Sequence, residues 1–192
     1  IYDFEYDEGG NLRSIEDPLG TKYEKFFDAS SQLRRETFAG SRALTKSYWY
    51  NPLGNTSHMV KGNSTVDGGV QYVEYQYNHG GGLKNLALLT EEIFSQGGSV
   101  EYSYDDQSGA HSYAKGRLYR VKGADFQTDY DYDYLGNIVK ETKLIKGLNF
   151  VTQYHYNSAG NLSGLTYPSG RTVTYDVQED WVKNVTTKSS PN

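Results

Sequence analysis

Asp129, Asp131 and Asp133 stand at alternate positions, the Asp-x-Asp-x-Asp spacing that opens a calcium-binding loop. Such a loop gathers carboxylate oxygens on one hard cation and needs Gly at its sixth place and a bidentate Glu at its twelfth. Counted from Asp129, those places hold Tyr134 and Lys140. The alternative is plainer. Asp129 and Asp131 are solvent-side residues of an alternating strand and Asp133 opens a turn, so no metal site is expected. The histidines His58, His79, His111 and His155 lack the i, i+4 spacing of a zinc pair. No nucleophile elbow, phosphate loop or dinucleotide fingerprint occurs, so no cofactor is expected. Carboxylates distant in sequence could pair for glycoside hydrolysis, but no constellation points to any two of them. No catalytic residue is assigned, and the chain is not expected to be an enzyme.

Two places could bind rather than react. Trp49 lies between Tyr48 and Tyr50, so on a strand its ring faces away from theirs. There it either covers the second sheet face or anchors a sugar or protein partner, and covering is the favoured reading. Asp106, His111 and Tyr113 lie in a stretch between Tyr104-Asp105 and Gly116-Arg117-Leu118 that has no counterpart elsewhere in the chain.

Composition narrows the rest. The 192 residues carry a net charge of −5, which argues against a nucleic-acid partner, because phosphate contacts need a basic surface. No run of 18 apolar residues occurs, so no membrane span is expected. Cys is absent, which excludes disulfides and thiolate metal sites. Aromatic residues make up 15%, with 19 Tyr against 7 Phe and 2 Trp. Tyrosine combines a large apolar body with a hydroxyl that needs a partner. A core built from it should lie at wet sheet faces.

The elements that position these residues are written as a repeat. Tyr6-Asp7, Phe27-Asp28, Tyr50-Asn51, Tyr77-Asn78, Tyr104-Asp105, Tyr132-Asp133, Tyr156-Asn157 and Tyr175-Asp176 recur at intervals of 19 to 28 residues. A period of this size marks an array of small supersecondary units. Asp7, Asn51, Asp133 and Asn157 each open a turn, where the side chain accepts from backbone N–H groups further on. Gly10, Gly54, Gly136 and Gly160 close those turns at positive φ. A second aromatic two residues before the turn (Phe4, Tyr48, Tyr75, Tyr102, Tyr130 and Tyr154) shares a strand face with it. Tyr50, Tyr77, Tyr104, Tyr132 and Tyr156 are the expected stacking tyrosines. The returning segments carry apolar pairs three apart: Leu12/Ile15, Leu83/Leu86, Leu118/Val121, Leu162/Leu165 and Val182/Val185. That spacing calls either for a bulge or for a sheet covered on both faces. A short helix is plausible only at Leu83–Phe94. Second turns at Asp17–Gly20 and Tyr167–Gly170, with Gly40, Gly62, Gly97-Gly98, Gly123 and Gly147 elsewhere, make each unit a hairpin. The expectation is an all-β chain of repeated antiparallel hairpins, about sixteen strands forming one array over residues 1–192.

The Tyr-x-Tyr-Asp-x-x-Gly-Asn-Leu pattern, closest at Phe4–Gly20, Tyr130–Ile138 and Tyr154–Leu165, resembles the YD repeat of Rhs proteins, toxin-complex shell subunits, wall-associated proteins and teneurins. The resemblance covers essentially the whole chain. It implies hairpins joined edge to edge into a long, curved or spiralling sheet, a partial shell. It further implies a structural segment of a larger, exported bacterial protein, secreted or at the cell surface, whose shell encloses or displays a toxin polypeptide. The family's autoproteolysis motif is not present. Asp17-Pro18-Leu19-Gly20 shares its letters but falls at an ordinary second turn. Expected partners are other repeats of the same protein, or a second copy through unpaired sheet edges, and a toxin cargo or surface glycan. The alternative function is a carbohydrate- or protein-binding module using exposed Tyr and Trp.

Overall fold

The computed structural model describes residues 1–39, 44–62, 71–78, 88–178 and 181–189. It contains sixteen β-strands and, among the described residues, no helix. The chain divides into two compact units, Ile1–Ser99 and Val100–Asn192. The first holds β1 (Asp3–Tyr6), β2 (Leu12–Glu16), β3 (Lys22–Phe27), β4 (Leu33–Ala39), β5 (Leu44–Tyr50), β6 (Thr56–Lys61), β7 (Tyr72–Asn78) and β8 (Leu88–Phe94). The second takes β9 (Ser99–Tyr104), β10 (Leu118–Lys122), β11 (Phe126–Tyr132), β12 (Ile138–Ile145), β13 (Leu148–Tyr156), β14 (Leu162–Thr166), β15 (Thr172–Gln178) and β16 (Trp181–Lys188). Within each unit the strands lie in sequence order and pair antiparallel.

Among the described residues, the hairpin tips at Asp7, Asp28, Asn51, Asp133 and Asn157 are closed by the same pair of backbone bonds. Asp7 N–H donates to Asn11 C=O at 2.9 Å, and Gly10 N–H donates to Asp7 C=O at 3.0 Å. The Asp7 carboxylate also accepts from Asn11 N–H at 2.8 Å and from its side-chain amide at 3.0 Å. Asp133 and Asn137 repeat this at 2.9 Å for both side-chain contacts. Asn51 and Asn157 use their side-chain carbonyl instead, accepting from Asn55 N–H at 3.0 Å and Asn161 N–H at 2.9 Å. At the closing position Gly10, Gly54, Gly136 and Gly160 have φ between 80° and 95°, and Ser31 takes this place in the second hairpin at φ 59°. Hydrogen bonds to the ionised form hold the Asp7 and Asp133 carboxyls below their ordinary range, the Asn11 and Asn137 side chains contributing most.

The tip geometry sets the register beyond it. The turn aromatics Tyr6, Phe27, Tyr50, Tyr77, Tyr104, Tyr132 and Tyr156 pair with Leu12, Leu33, Thr56, Leu89, Leu118, Ile138 and Leu162. One residue earlier the register shifts: Glu5 pairs with Ser14 and Phe4 with Ile15, so Arg13 is an extra residue in the return strand. The same one-residue bulge follows the return residue in every hairpin, as at Arg34, Ser57, Val139 and Ser163. It explains the apolar spacing of three. A plain strand would send Leu12 and Ile15 to opposite faces, and the bulge returns them to one face.

The strand that follows a hairpin also keeps one register. Three residues after the return residue, the chain pairs with the position four before the next turn aromatic. The six instances are Ile15–Tyr23, Glu36–Lys46, Met59–Val73, Val121–Thr128, Glu141–Thr152 and Leu165–Val173.

Two expectations need correction. Leu88–Phe94 is strand and not helix, because six positions from Val73 to Asn78 pair across to it and outweigh the helix-compatible spacing. Leu89, with Glu92 three further on, therefore takes the return role assigned to Leu83/Leu86. Residues 83–87 lie outside the described residues, as do Gly40, His79 and Gly81. In the last hairpin Tyr175-Asp176 is not a tip. Both residues lie within β15, paired with Val185 and Asn184, and the shift falls at Asp176/Val177. Val177 fills the turn-aromatic position and Tyr175 the place two before it. The Tyr-Asp letters here stand two residues out of phase with the repeat.

Little of this surface is dry. Val60, Val173, Ala114 and Tyr132 are the buried apolar residues among those described; Tyr50, Tyr77, Tyr104 and Tyr156 are half-buried on the sheet face, and Tyr6 is exposed.

Gly136 and Gly160 offer a test of the tip. Both need positive φ, but only at Gly136 would a Cβ meet another group, the Arg117 guanidinium at 2.8 Å. Gly160→Val is expected to lower unfolding free energy by roughly 1–3 kcal/mol from backbone strain, and Gly136→Val by more. Urea unfolding reads both, and parent-like midpoints would show that the tips do not depend on this conformation.

Candidate functional site

The tyrosine face has a consistent chemistry between neighbouring hairpins. Tyr50 donates its hydroxyl to Leu33 C=O at 2.7 Å, Tyr132 to Leu118 C=O at 2.5 Å and Tyr156 to Ile138 C=O at 3.0 Å. In each case the acceptor is the return residue of the preceding hairpin. Guanidinium groups lie on two of these rings, Arg34 at 5.1 Å from Tyr50 and Arg117 at 5.6 Å from Tyr132. Burial raises the phenol pKa of Tyr50, Tyr77, Tyr104, Tyr132 and Tyr156, so all stay neutral donors.

Glutamates stand on this face where Ile15 and Leu165 stand in other repeats, namely Glu36, Glu92 and Glu141. Glu36 is the best described. It accepts from the Tyr23 hydroxyl, from Tyr48 Oη at 2.7 Å and from Lys46 Nζ at 2.9 Å. Burial works to raise its pKa, but these three donors overcome it and bring the value to about 2. The same contact and burial push Tyr23 up to about 12.

The stretch between Asp105 and Arg117 is an enlarged tip. Asp105 N–H still donates to Arg117 C=O at 3.0 Å, as Asp7 does to Asn11 in the plain tip. The inserted residues are pinned from inside. Asp106 accepts from Ser108 N–H at 2.9 Å, Ser108 Oγ at 2.6 Å and His111 N–H at 2.8 Å. These bonds, Ser108's hydroxyl foremost, hold its pKa at about 2. The loop then folds onto β11: Tyr132 N–H donates to Ser112 C=O at 3.0 Å, and Ser112 N–H to the Asp131 carboxylate at 2.9 Å. His111 sits inside the fold, its ring 5.0 Å from that of Tyr119 and its Nδ1 3.7 Å from Asp131. Ala114 is buried, whereas Tyr113 has φ 49° and a ring 59% exposed.

The structure thus brings Asp106, His111 and Tyr113 into one loop and leaves Trp49 in the first unit, on β5, paired with His58. Trp49 borders a shallow hollow of about 460 Å³ with Phe26, Arg34, Arg35, Ser47 and Tyr48. A larger open hollow, about 640 Å³, lies beside Ser112, Asp131, Lys140, Gln153 and His155. The three aspartates of the Asp-x-Asp-x-Asp run are separately engaged. Asp129 is bound by Arg120 at 2.7 Å, Asp131 by Lys140 at 3.2 Å, and Asp133 closes its tip. Among the described residues no group of three or more His, Asp or Glu is placed to hold a metal ion. Ser108's hydroxyl is spent on Asp106, so it forms no Ser–His pair with His111. The loop's polar groups fix its own backbone. The sequence reading contains neither the Glu36 hub nor the fold-back of Ser112 onto β11; the signal for the first is the identity of the residue three beyond the return residue.

Asp106→Ala removes three accepted bonds and should raise protease cleavage between residues 105 and 116 severalfold while shifting global stability by less than about 1 kcal/mol. Unchanged cleavage would show that Asp106 does not hold the loop. Glu36 gives a pH dependence. Its folded pKa is depressed, so its contribution is complete above about pH 4.5 and is lost as pH falls towards 2. Thermal melts across that range should fall, and Glu36→Gln should flatten the fall by on the order of 2 kcal/mol; an identical slope in the variant would rule this out.

No family model matches the chain, and no curated protein matches it. Solved structures do. In the crystal structure of TcdB2-TccC3-Cdc42 the match has a TM-score of 0.63 at 14% identity, covering 96% of this chain and 11% of that one. In TcdB2-TccC3-TEV the values are 0.64 and 16%, covering 97% and 10%. In the Photorhabdus luminescens Tc holotoxin pore carrying TccC3-D651A they are 0.63 and 16%, again covering 97% and 10%. The chain spans about a tenth of the length of the chains it matches. At this identity the likeness is one of fold, and the antiparallel hairpin array implied by the YD-repeat resemblance is the fold this chain shares with those toxin-complex chains.

Proposed function

We propose that this chain is a non-catalytic wall segment of a larger exported protein, in which the hairpin array encloses or displays a toxin or effector polypeptide. The observation that carries the reading is the destination of the polar side chains. Tip carboxylates and amides bind their own backbone, tyrosine hydroxyls bind the carbonyl of the preceding hairpin, and Glu36 binds two tyrosines and a lysine. These groups hold strands in register, and none of them is poised for proton transfer or nucleophilic attack. The fold shared with chains of a Tc holotoxin supports the same reading. The proposed setting is outside the producing cell.

A second reading rests on Tyr113, an exposed ring on a loop anchored at both ends, and on Trp49, 36% exposed beside a hollow. Such rings fit a sugar or a surface protein.

The two readings separate cleanly. In the full-length polypeptide, a segment enclosed by the array should resist protease until the array is unfolded, and excising residues 1–192 should expose it. Equal cleavage with and without the array would defeat the wall reading. Glycan-array binding lost on Tyr113→Ala or Trp49→Ala would favour the second.

A further inference from the structure

We propose that the opening between β4 and β5 is a docking site for an acidic peptide segment, which lies against β5 and places a carboxylate on Arg35. This site rests on the second, binding reading of Trp49 and gives that ring a partner class. Pairing between consecutive hairpins stops at one place in all six junctions within the two units. The last pair joins the residue two beyond the return residue to the position three before the turn aromatic, as in Arg35–Ser47, Arg120–Asp129 and Lys140–Gln153. Beyond it, towards the tip, the outgoing strand has no ladder partner on that side. The hollow beside Trp49 is this opening at β4/β5, and the hollow beside His155 is the same opening at β12/β13. Five lining positions correspond one to one: Arg34, Arg35, Ser47, Tyr48 and Trp49 in the first, Val139, Lys140, Gln153, Tyr154 and His155 in the second. Strands of the same unit flank each opening on both sides, so neither depends on the ends of the chain.

A third copy of the opening is filled, and its occupant shows what fits. At β10/β11 the enlarged tip lays His111 and Ser112 into it. Ser112 C=O accepts from Tyr132 N–H at 3.0 Å, and Ser112 N–H donates to the Asp131 carboxylate at 2.9 Å. The His111 ring stands 5.0 Å from that of Tyr119. Tyr119, Asp131 and Tyr132 hold the repeat positions that Arg34, Trp49 and Tyr50 hold at β4/β5. The occupant is therefore a piece of polypeptide, seated through its own backbone on the unpaired end of the outgoing strand. These backbone contacts favour peptide over a sugar acid at the equivalent opening.

The side chains at β4/β5 set the charge of the segment. The position two beyond the return residue is a base at Arg35, Arg120 and Lys140. Arg120 is held by Asp129 at 2.7 Å across the junction, and Lys140 by Asp131 at 3.2 Å across its hairpin. The corresponding neighbours of Arg35 are Ser47 and Phe26, neither of them an acid. Its guanidinium lies 4.0 Å from the centre of the Phe26 ring and has no carboxylate partner among the described residues. Arg34 beside it is already engaged by Asp28 at 2.7 Å. A carboxylate brought by a docked segment completes at Arg35 the pair that Arg120 makes within the chain, in a geometry that guanidinium and carboxylate match with two parallel hydrogen bonds. Trp49, 36% exposed, covers the apolar atoms of the same segment.

The probes are short unstructured peptides that contain Glu, each with a counterpart carrying Gln, titrated into the chain by calorimetry. Glu peptides should bind, and their Gln counterparts should bind roughly 10- to 100-fold more weakly, the value of a charge-assisted pair. Arg35→Gln and Trp49→Ala should weaken the Glu peptides to a similar degree. Ser47→Asp should do the same with its melting temperature kept, because it gives Arg35 the partner that Asp129 gives Arg120. Arg120→Gln should bind as the parent does. Equal binding of Glu and Gln peptides, full binding by Ser47→Asp, or loss of binding in Arg120→Gln would overturn the proposal. Oligosaccharides of uronic acids that bind and are lost on Trp49→Ala, with no peptide bound, would overturn it and keep the binding reading of Trp49. Binding of neither probe would overturn both.

Discussion

One extra residue in each return strand decides how this chain presents itself. A strand alternates faces with period two, so apolar residues three apart should fall on opposite sides. The bulge after Leu12, Leu33, Thr56 and their counterparts cancels that parity error. It collects Tyr-x-Tyr and the two return positions on one face. The tip imposes it. An Asp or Asn that closes its loop on a residue four further on fixes where pairing resumes, and the spare residue is absorbed immediately after. Tip and bulge therefore form one device. Loss of the closing glycine would disturb the tip, the register beyond it and, through that register, the face of the neighbouring hairpin.

A sheet built this way buries few residues completely, and tyrosine suits that condition. Its ring covers apolar surface while its hydroxyl reaches a carbonyl that the neighbouring strand leaves open. The contact is directional in a way that a leucine in the same place could not be. It always runs from a turn tyrosine to the return residue before it, at 2.5 to 3.0 Å where it is formed. Glutamate on the same face follows from the same logic. Glu36 is tolerated there because two phenols and an ammonium group satisfy it, and those donors prevail over the cost of burial.

The tips and strands were legible because the signals are local. Asp, Gly and Asn at fixed offsets report one turn, and two aromatics two apart report one face. Three features were not. Tyr175-Asp176 carries the repeat's letters in the wrong phase, and only pairing with Asn184 and Val185 reveals that Val177 is the equivalent of the turn tyrosine. Leu88–Phe94 could be helix or strand on its own spacing, and β7 decides. The enlarged tip showed its length and its polar residues. Its attachment through Ser112 to Asp131 and Tyr132 joins residues about twenty apart, and no local pattern encodes that.

The same two registers bear on what such a chain can do. A catalytic site needs a few groups freed from structural duty and aimed at one point. Here the repeat recruits its polar groups to its own backbone, unit after unit, and even the irregular loop spends Asp106 and Ser108 on holding itself. What remains available is surface, in rings such as Tyr113. Each hairpin offers its successor a preformed register, set by the tip and the bulge behind it.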